Sequence, residues 1–168
     1  MKPTPILAIL LACASTLLAT DKNKPSEEPI VIPLTASGQA TTSKLGNSYI
    51  TRTSGGQSFT TSRLGTSTIT RDSKGNTWTT TKLGSSFVTR GPDGQQQTTT
   101  RMGNSFVTRD SKTGSTLTTS KLGSSCHTRG DSGAAWSTSQ LGSSFVTRGT
   151  APKKDEKTTR VIVIPGSK

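Results

Sequence analysis

Apolar and polar positions fall into three regimes along the chain. An apolar stretch runs from Ile6 to Ala19, broken only by small residues and Thr16. A long middle section mixes Thr and Ser with single aliphatic or aromatic residues, and a basic tail ends in Val161-Ile162-Val163-Ile164-Pro165, an echo of Ile30-Val31-Ile32-Pro33 near the start. The middle section is periodic. Leu-Gly pairs begin at Leu45, Leu64, Leu83, Leu122 and Leu141, with Met102-Gly103 in fourth place, so the spacings are 19, 19, 19, 20 and 19. Thr-Arg pairs at 51–52, 70–71, 89–90, 108–109, 128–129 and 147–148 keep the same rhythm. A fixed period over six copies marks a repeat architecture. The one extra residue falls in Asp110-Ser111-Lys112-Thr113-Gly114, a turn, where a loop lengthens without shifting a strand.

The third copy, Trp78 to Arg90, shows the unit. Two runs rich in Thr, Val, Phe and Trp flank Gly84-Ser85. Branched and aromatic side chains suit a pleated surface, so both runs read as strands. Gly opens a tight hairpin turn because it accepts φ > 0. Successive units join through longer turns such as Asp72-Ser73-Lys74-Gly75-Asn76, with Gly at the left-handed position. The chain therefore reads as all-β, with about twelve short strands in an antiparallel meander, as a single sheet or a narrow barrel. Alternation places Thr79, Thr81 and Leu83 on one face and Trp78, Thr80 and Lys82 on the other. In the next strand Phe87 and Thr89 oppose Ser86, Val88 and Arg90. Neither face is cleanly apolar, which favours a thin sheet, a narrow barrel or an oligomer over a sandwich.

Two alternatives compete. One is a β-solenoid with one rung per unit. In length and strand-turn-strand layout the unit resembles curlin repeats, but the internal Gln and Asn ladders are missing and Thr and Arg hold the regular positions, so no family follows. The other is a largely disordered chain, because low hydrophobicity with high charge is its signature. Only 27% of the 168 residues are hydrophobic, with two Trp, one Tyr and four Phe, too few to fill a thick two-layer core.

Composition changes abruptly after Ala19. Lys2 followed by a short apolar run reads as an export signal over residues 1–19, too short to span a bilayer well. A polar leader (20–40), the six-repeat region (41–148) and a basic tail (149–168) with its terminal VIVIP strand complete the layout. Leu10-Leu11-Ala12-Cys13 resembles a bacterial lipobox, which makes Cys13 a lipidation candidate, with ordinary signal cleavage as the alternative. The expected location is secreted or on the cell envelope. One acyl chain alone holds a protein only marginally at a bilayer. The other cysteine is Cys126, so no internal disulfide framework is expected. The two apolar echoes either pair as strands that cap the array or are independent extensions.

Candidate chemistry is sparse. Cys126 and His127 replace the Phe-Val of other copies. A thiolate and base would need to share a proton, whereas neighbours in a strand point to opposite faces, so repeat drift is the simpler reading. Asp72, Asp93, Asp110 and Asp131 all sit at turns, and no cluster has metal-ligand spacing. No enzyme, metal or cofactor is expected. Net charge is +12, and it is ordered. Arg52, Arg71, Arg90, Arg109, Arg129 and Arg148 recur at one position, and Lys44, Arg63, Lys82, Arg101 and Lys121 at another, where Gln140 breaks the series. Such ladders suit a polyanion such as acidic polysaccharide, lipopolysaccharide or nucleic acid, or else protect sheet edges from aggregation. Thr41, Thr60, Thr79, Thr98 and Thr118 form a row resembling the ice-binding faces of β-helical antifreeze proteins, though Thr is also simply a good strand former. The sequence thus points to an exported, non-enzymatic repeat protein with a structural or adhesive role at the cell surface. Its expected partners are further copies joined edge to edge, and a membrane only through a lipid anchor. The alternative is a polyanion-binding module.

Overall fold

Every unit folds as the hairpin its Gly pair dictates. In the computed structural model, which describes residues 30–34, 38–151 and 160–164, Leu45 pairs with Ser48 across a two-residue turn. The same turn recurs in the other five units. Its first residue is always Gly, with φ between +57° and +62°, a conformation that costs an L side chain energy. The long connections also use a left-handed Gly, as in Gly75 (φ +86°), whose N–H bonds Asp72 O at 3.2 Å. Where the extra residue falls, Gly114 N–H reaches back one residue further, to Asp110 O at 3.0 Å. The ladder on either side is undisturbed: Thr116 faces Arg109 as Thr77 faces Arg71.

Twelve strands follow: β2 (Gly38–Leu45), β3 (Ser48–Thr53), β4 (Ser58–Leu64), β5 (Ser67–Asp72), β6 (Thr77–Leu83), β7 (Ser86–Arg90), β8 (Gln96–Met102), β9 (Ser105–Asp110), β10 (Thr116–Leu122), β11 (Ser125–Gly130), β12 (Ala135–Leu141) and β13 (Ser144–Thr150). The helical content among the described residues is one 3-10 turn at Pro92–Gly94. Each strand pairs antiparallel with its predecessor, and β13 pairs with β2, so the meander closes into a barrel. The repeat region is therefore neither an open single sheet, nor a solenoid of stacked rungs, nor a disordered chain. The physical reason is the pairing between units: Ser48 faces Ser62, two residues short of Leu64, and the same two-residue step recurs at all six junctions through Ser144 with Ser43. The uniform step tilts the strands and keeps all six Gly turns at one end of the barrel.

Hydroxyls knit this barrel on both faces. Inside, each hairpin carries one Thr pair: Thr42–Thr51, Thr61–Thr70, Thr80–Thr89, Thr99–Thr108, Thr119–Thr128 and Thr138–Thr147, with Oγ1 atoms 2.8–3.0 Å apart. Outside, a second hydroxyl pair links each hairpin to the next, for example Ser48–Ser62 at 2.8 Å and Ser67–Thr81 at 2.9 Å. Larger side chains line the wall above and below the Thr ring, among them Phe59, Trp78, Phe87, Phe106, Leu117, Trp136 and Phe145. Phe59 tilts against Trp78 at 6.1 Å between ring centroids, and Phe87 against Phe106 at 6.4 Å. Glycine on or just after the neighbouring strand gives the largest rings their room: a Cβ on Gly91 would lie 2.7 Å from the Trp78 ring, and one on Gly149 would collide with Trp136 and the Ala135 carbonyl.

Twelve tilted strands about 4.8 Å apart give a backbone cylinder about 24 Å across, too wide for short Thr side chains to meet in the middle. The two terminal apolar runs fill it. β1 (Ile30–Leu34) pairs antiparallel with β14 (Arg160–Ile164), Ile30 facing Ile164. Alternate side chains of β14 reach opposite walls. Ile162 and Ile164 join Leu117, Cys126, Trp136 and Phe145, while Val163 joins Phe87 and Phe106. All three β14 residues are at most 1% exposed. The echoing runs thus pair, as one of the two readings expected, but β14 does not cap the array: it lies inside it as its core, because the interior of the barrel is left unfilled by the wall. The expected signal segment with Cys13, most of the expected leader and the tail lysines lie outside the described residues.

Candidate functional site

The two cation series land on different faces because they sit at odd and even positions of neighbouring strands. Arg52, Arg71, Arg90, Arg109, Arg129 and Arg148 are all exposed on the outer wall, one per hairpin. Each faces a hydroxyl residue of its own hairpin: Thr41, Thr60, Thr79, Thr98, Thr118 and Ser137 in turn. The Thr row therefore alternates with Arg around a curved belt and forms no flat face. Since every second strand carries an arginine, neighbouring guanidinium groups start about 10 Å apart along the wall. Arg148 donates from Nε to Gln39 Oε1 at 3.0 Å across the closing junction, and among the described residues no carboxylate pairs with the belt. The sequence leads one to expect these arginines along one line of a sheet. Closure bends that line into a ring.

Lys44, Arg63, Lys82, Arg101 and Lys121 belong to the inward-facing set of their strands, two residues before the turn glycine, so they ring the inner lip of the barrel. All five are exposed. Arg63 and Arg101 donate from Nε to the carbonyl of the turn glycine two residues on, Gly65 and Gly103, both at 3.1 Å. Gln140 makes the same contact to Gly142 at 3.0 Å in the one unit without the charge. The structure thus splits eleven candidate residues into an outer belt and a rim ring. Comparison of the chain with protein-family models, curated proteins and solved structures finds no match. The reading of the site rests on geometry and charge.

Cys126 and His127 separate as strand alternation requires. Cys126 is buried in the wall beside Ile162 and Ile164, and His127 is exposed outside. Burial pushes the Cys126 thiol up, against the pull of the Lys121 charge. Among the described residues no group of three His, Cys, Asp or Glu could hold a metal ion. The turn aspartates bond backbone: Asp72 Oδ1 accepts from the N–H of Lys74 and Asn76, and Asp110 Oδ1 from those of Lys112 and Thr113, all within 2.8–2.9 Å. Burial alone would raise the Asp110 carboxyl, but these donors and Gln97 outweigh it and hold the group below its ordinary 3.8.

Sequence reasoning did not anticipate one feature. Leu45, Leu64, Leu83, Met102, Leu122 and Leu141, the residues that introduce each turn, are 57–73% exposed on the outer side of the same rim as the inner cations. Alternation puts Leu83 on the face of Thr79 and Thr81, so the signal was present. It needed the knowledge that this face is the outside.

Proposed function

We propose that the chain is an exported, non-enzymatic adhesive barrel that binds polyanions of the acidic polysaccharide, lipopolysaccharide or nucleic acid class through its outer arginine belt. The observation that carries this reading is the belt itself: six exposed guanidinium groups at one register, each beside a hydroxyl, unpaired with carboxylates among the described residues. Guanidinium suits bidentate contact with sulfate, phosphate and carboxylate oxygens. Single exposed contacts are weak, but a polymer engages several together and releases its counterions as it does so. Each barrel strand has partners on both sides, so self-association of the barrel would run through surface side chains rather than strand edges.

The ring makes the test specific. Replacing Arg71, Arg90 and Arg109 with Gln strips one arc and leaves Arg129, Arg148 and Arg52 contiguous on the other. Replacing Arg52, Arg90 and Arg129 removes the same charge and leaves no two adjacent arginines. Heparin or DNA affinity should fall further in the dispersed triple than in the contiguous one, and least on replacing Lys153, Lys154 and Lys157 with Gln. Equal losses in all three variants would reduce the belt to a nonspecific positive field, and no loss in any would end the polyanion reading.

A further inference from the structure

We propose that the Gly-turn end of the barrel docks on the surface of an anionic lipid bilayer, with the six rim apolar side chains entering the headgroup region and the inner cations holding lipid phosphates. Three observations on the fold converge there. First, the barrel's exposed large hydrophobic residues all stand at this end, one per hairpin, at the position before the turn. Exposed apolar side chains scattered singly mean little, but six at one structural level form an interaction surface. Second, five cations stand just inside them, and Arg63 and Arg101 are tied to turn carbonyls, so charge and apolar groups share one plane. Third, among the described residues no Asp or Glu stands at or beside the six Gly turns, so no such carboxylate there offsets the five cations. A negative surface is therefore attracted to the turn end.

Charge selects the occupant. A second copy meeting this face would set five cations against five and would not associate. A protein interface has a contiguous apolar centre and a polar rim. Here the order is reversed, with separated apolar residues outside and cations within. A bilayer surface needs no contiguous apolar centre: isolated leucines insert between headgroups while lysine and arginine stay at phosphate level. Strands of five to eight residues, with arginines around the outer wall, fit contact at the surface and fall short of the span a transmembrane strand needs.

The test is co-sedimentation of the purified chain with vesicles of phosphatidylcholine alone or mixed with phosphatidylglycerol. Wild type should bind the mixed vesicles and leave the neutral ones. Replacing Lys44, Lys82 and Lys121 with Gln, the residue already present at position 140, should weaken partitioning on the order of a hundredfold, at about fivefold per lysine lost near an anionic surface. Replacing Leu64, Leu83 and Leu122 with Ser should abolish detectable binding to the mixed vesicles while heparin binding and the β spectrum stay unchanged, which separates this site from the belt. Unaltered vesicle binding in the Leu triple overturns the proposal, and so does a loss that tracks the dispersed belt triple instead. A wild-type dimer that the Leu triple splits, without lipid binding, would also overturn it and make the rim a contact between copies.

Discussion

The inner threonine ring can be tested by removing hydroxyls singly and in pairs. Thr99 and Thr108 are 1% and 3% exposed, and their Oγ1 atoms are 2.8 Å apart. Valine nearly reproduces the shape of threonine, so Thr99→Val removes a hydroxyl with little change in packing. It also leaves the Thr108 hydroxyl facing a methyl group where water does not replace the lost partner. An unsatisfied buried hydroxyl costs about 1–3 kcal/mol, and the reciprocal Thr108→Val should cost the same. The double variant strands nothing. Replacing both partners of a buried hydrogen bond by apolar groups of the same shape is close to neutral, so it should lie within about 1 kcal/mol of wild type, far from the sum of the singles.

Urea titration followed by far-UV circular dichroism reads all four proteins, provided the slope is shared. In thermal melts each kcal/mol should appear as roughly 2–4 °C for a chain of this size. The outer Ser86–Thr100 pair, 3.2 Å apart and only part-buried, is the control. Water can satisfy Ser86 there, so Thr100→Val should cost well under about 1 kcal/mol. If the Thr99 and Thr108 losses simply add, the hydroxyls do not act as a pair, and the argument that the ring supplies internal cohesion fails.

Two further outcomes follow from the interior and the loops. Ile162→Ala should destabilise by about 2–5 kcal/mol, because a fully buried β14 side chain would leave a cavity against the β10–β13 wall, and urea midpoints check this. Asp110→Asn should weaken folding only where the wild-type carboxylate is ionised. Its folded value is depressed, so its contribution is full above the ordinary 3.8 and disappears as pH falls through the folded value. The wild-type advantage in a urea series at descending pH should therefore be constant near neutrality and vanish in strong acid.

Local chemistry was legible in the sequence and closure was not. The Gly-X pairs fixed the tight turns, and Asp-Ser-Lys-Gly-Asn and its relatives fixed the long ones. The extra residue announced itself as a loop insertion. Alternation also sorted the faces correctly: Trp78, Thr80, Phe87 and Thr89 are inside, and Thr79, Val88 and Arg90 outside. Whether a meander stays open depends on the number of strands and the step at each junction. The residues that close this one, Gly38 to Ser43 against Ser144 to Gly149, look like those of any other junction. The candidate site suffered the same loss. Both cation series were visible as periodicities, but only the closed barrel shows that one circles the outer wall and the other its lip. Threonine misled most, because a good strand former was also the hydrogen-bonding core.

The closed barrel also resolves the shortage of large side chains. A wall of threonines and at most one bulky apolar residue per strand cannot fill a cylinder about 24 Å wide, but its axis lies about 12 Å from every wall, close to the roughly 10 Å at which sheets pack face to face. A β ribbon is the element that fits such a space, and the chain supplies one from the segments flanking the repeats. Pairing β13 with β2 brings those two segments together at the long-loop end, so barrel closure makes the β1–β14 ladder a local event despite its separation in sequence. The ribbon in turn gives the inner wall the apolar contacts that closure alone would leave unmade, as Val163 does for Phe87 and Phe106. Closure and filling each supply what the other lacks. Six copies of a unit too polar to fold alone thereby gain one cooperative core.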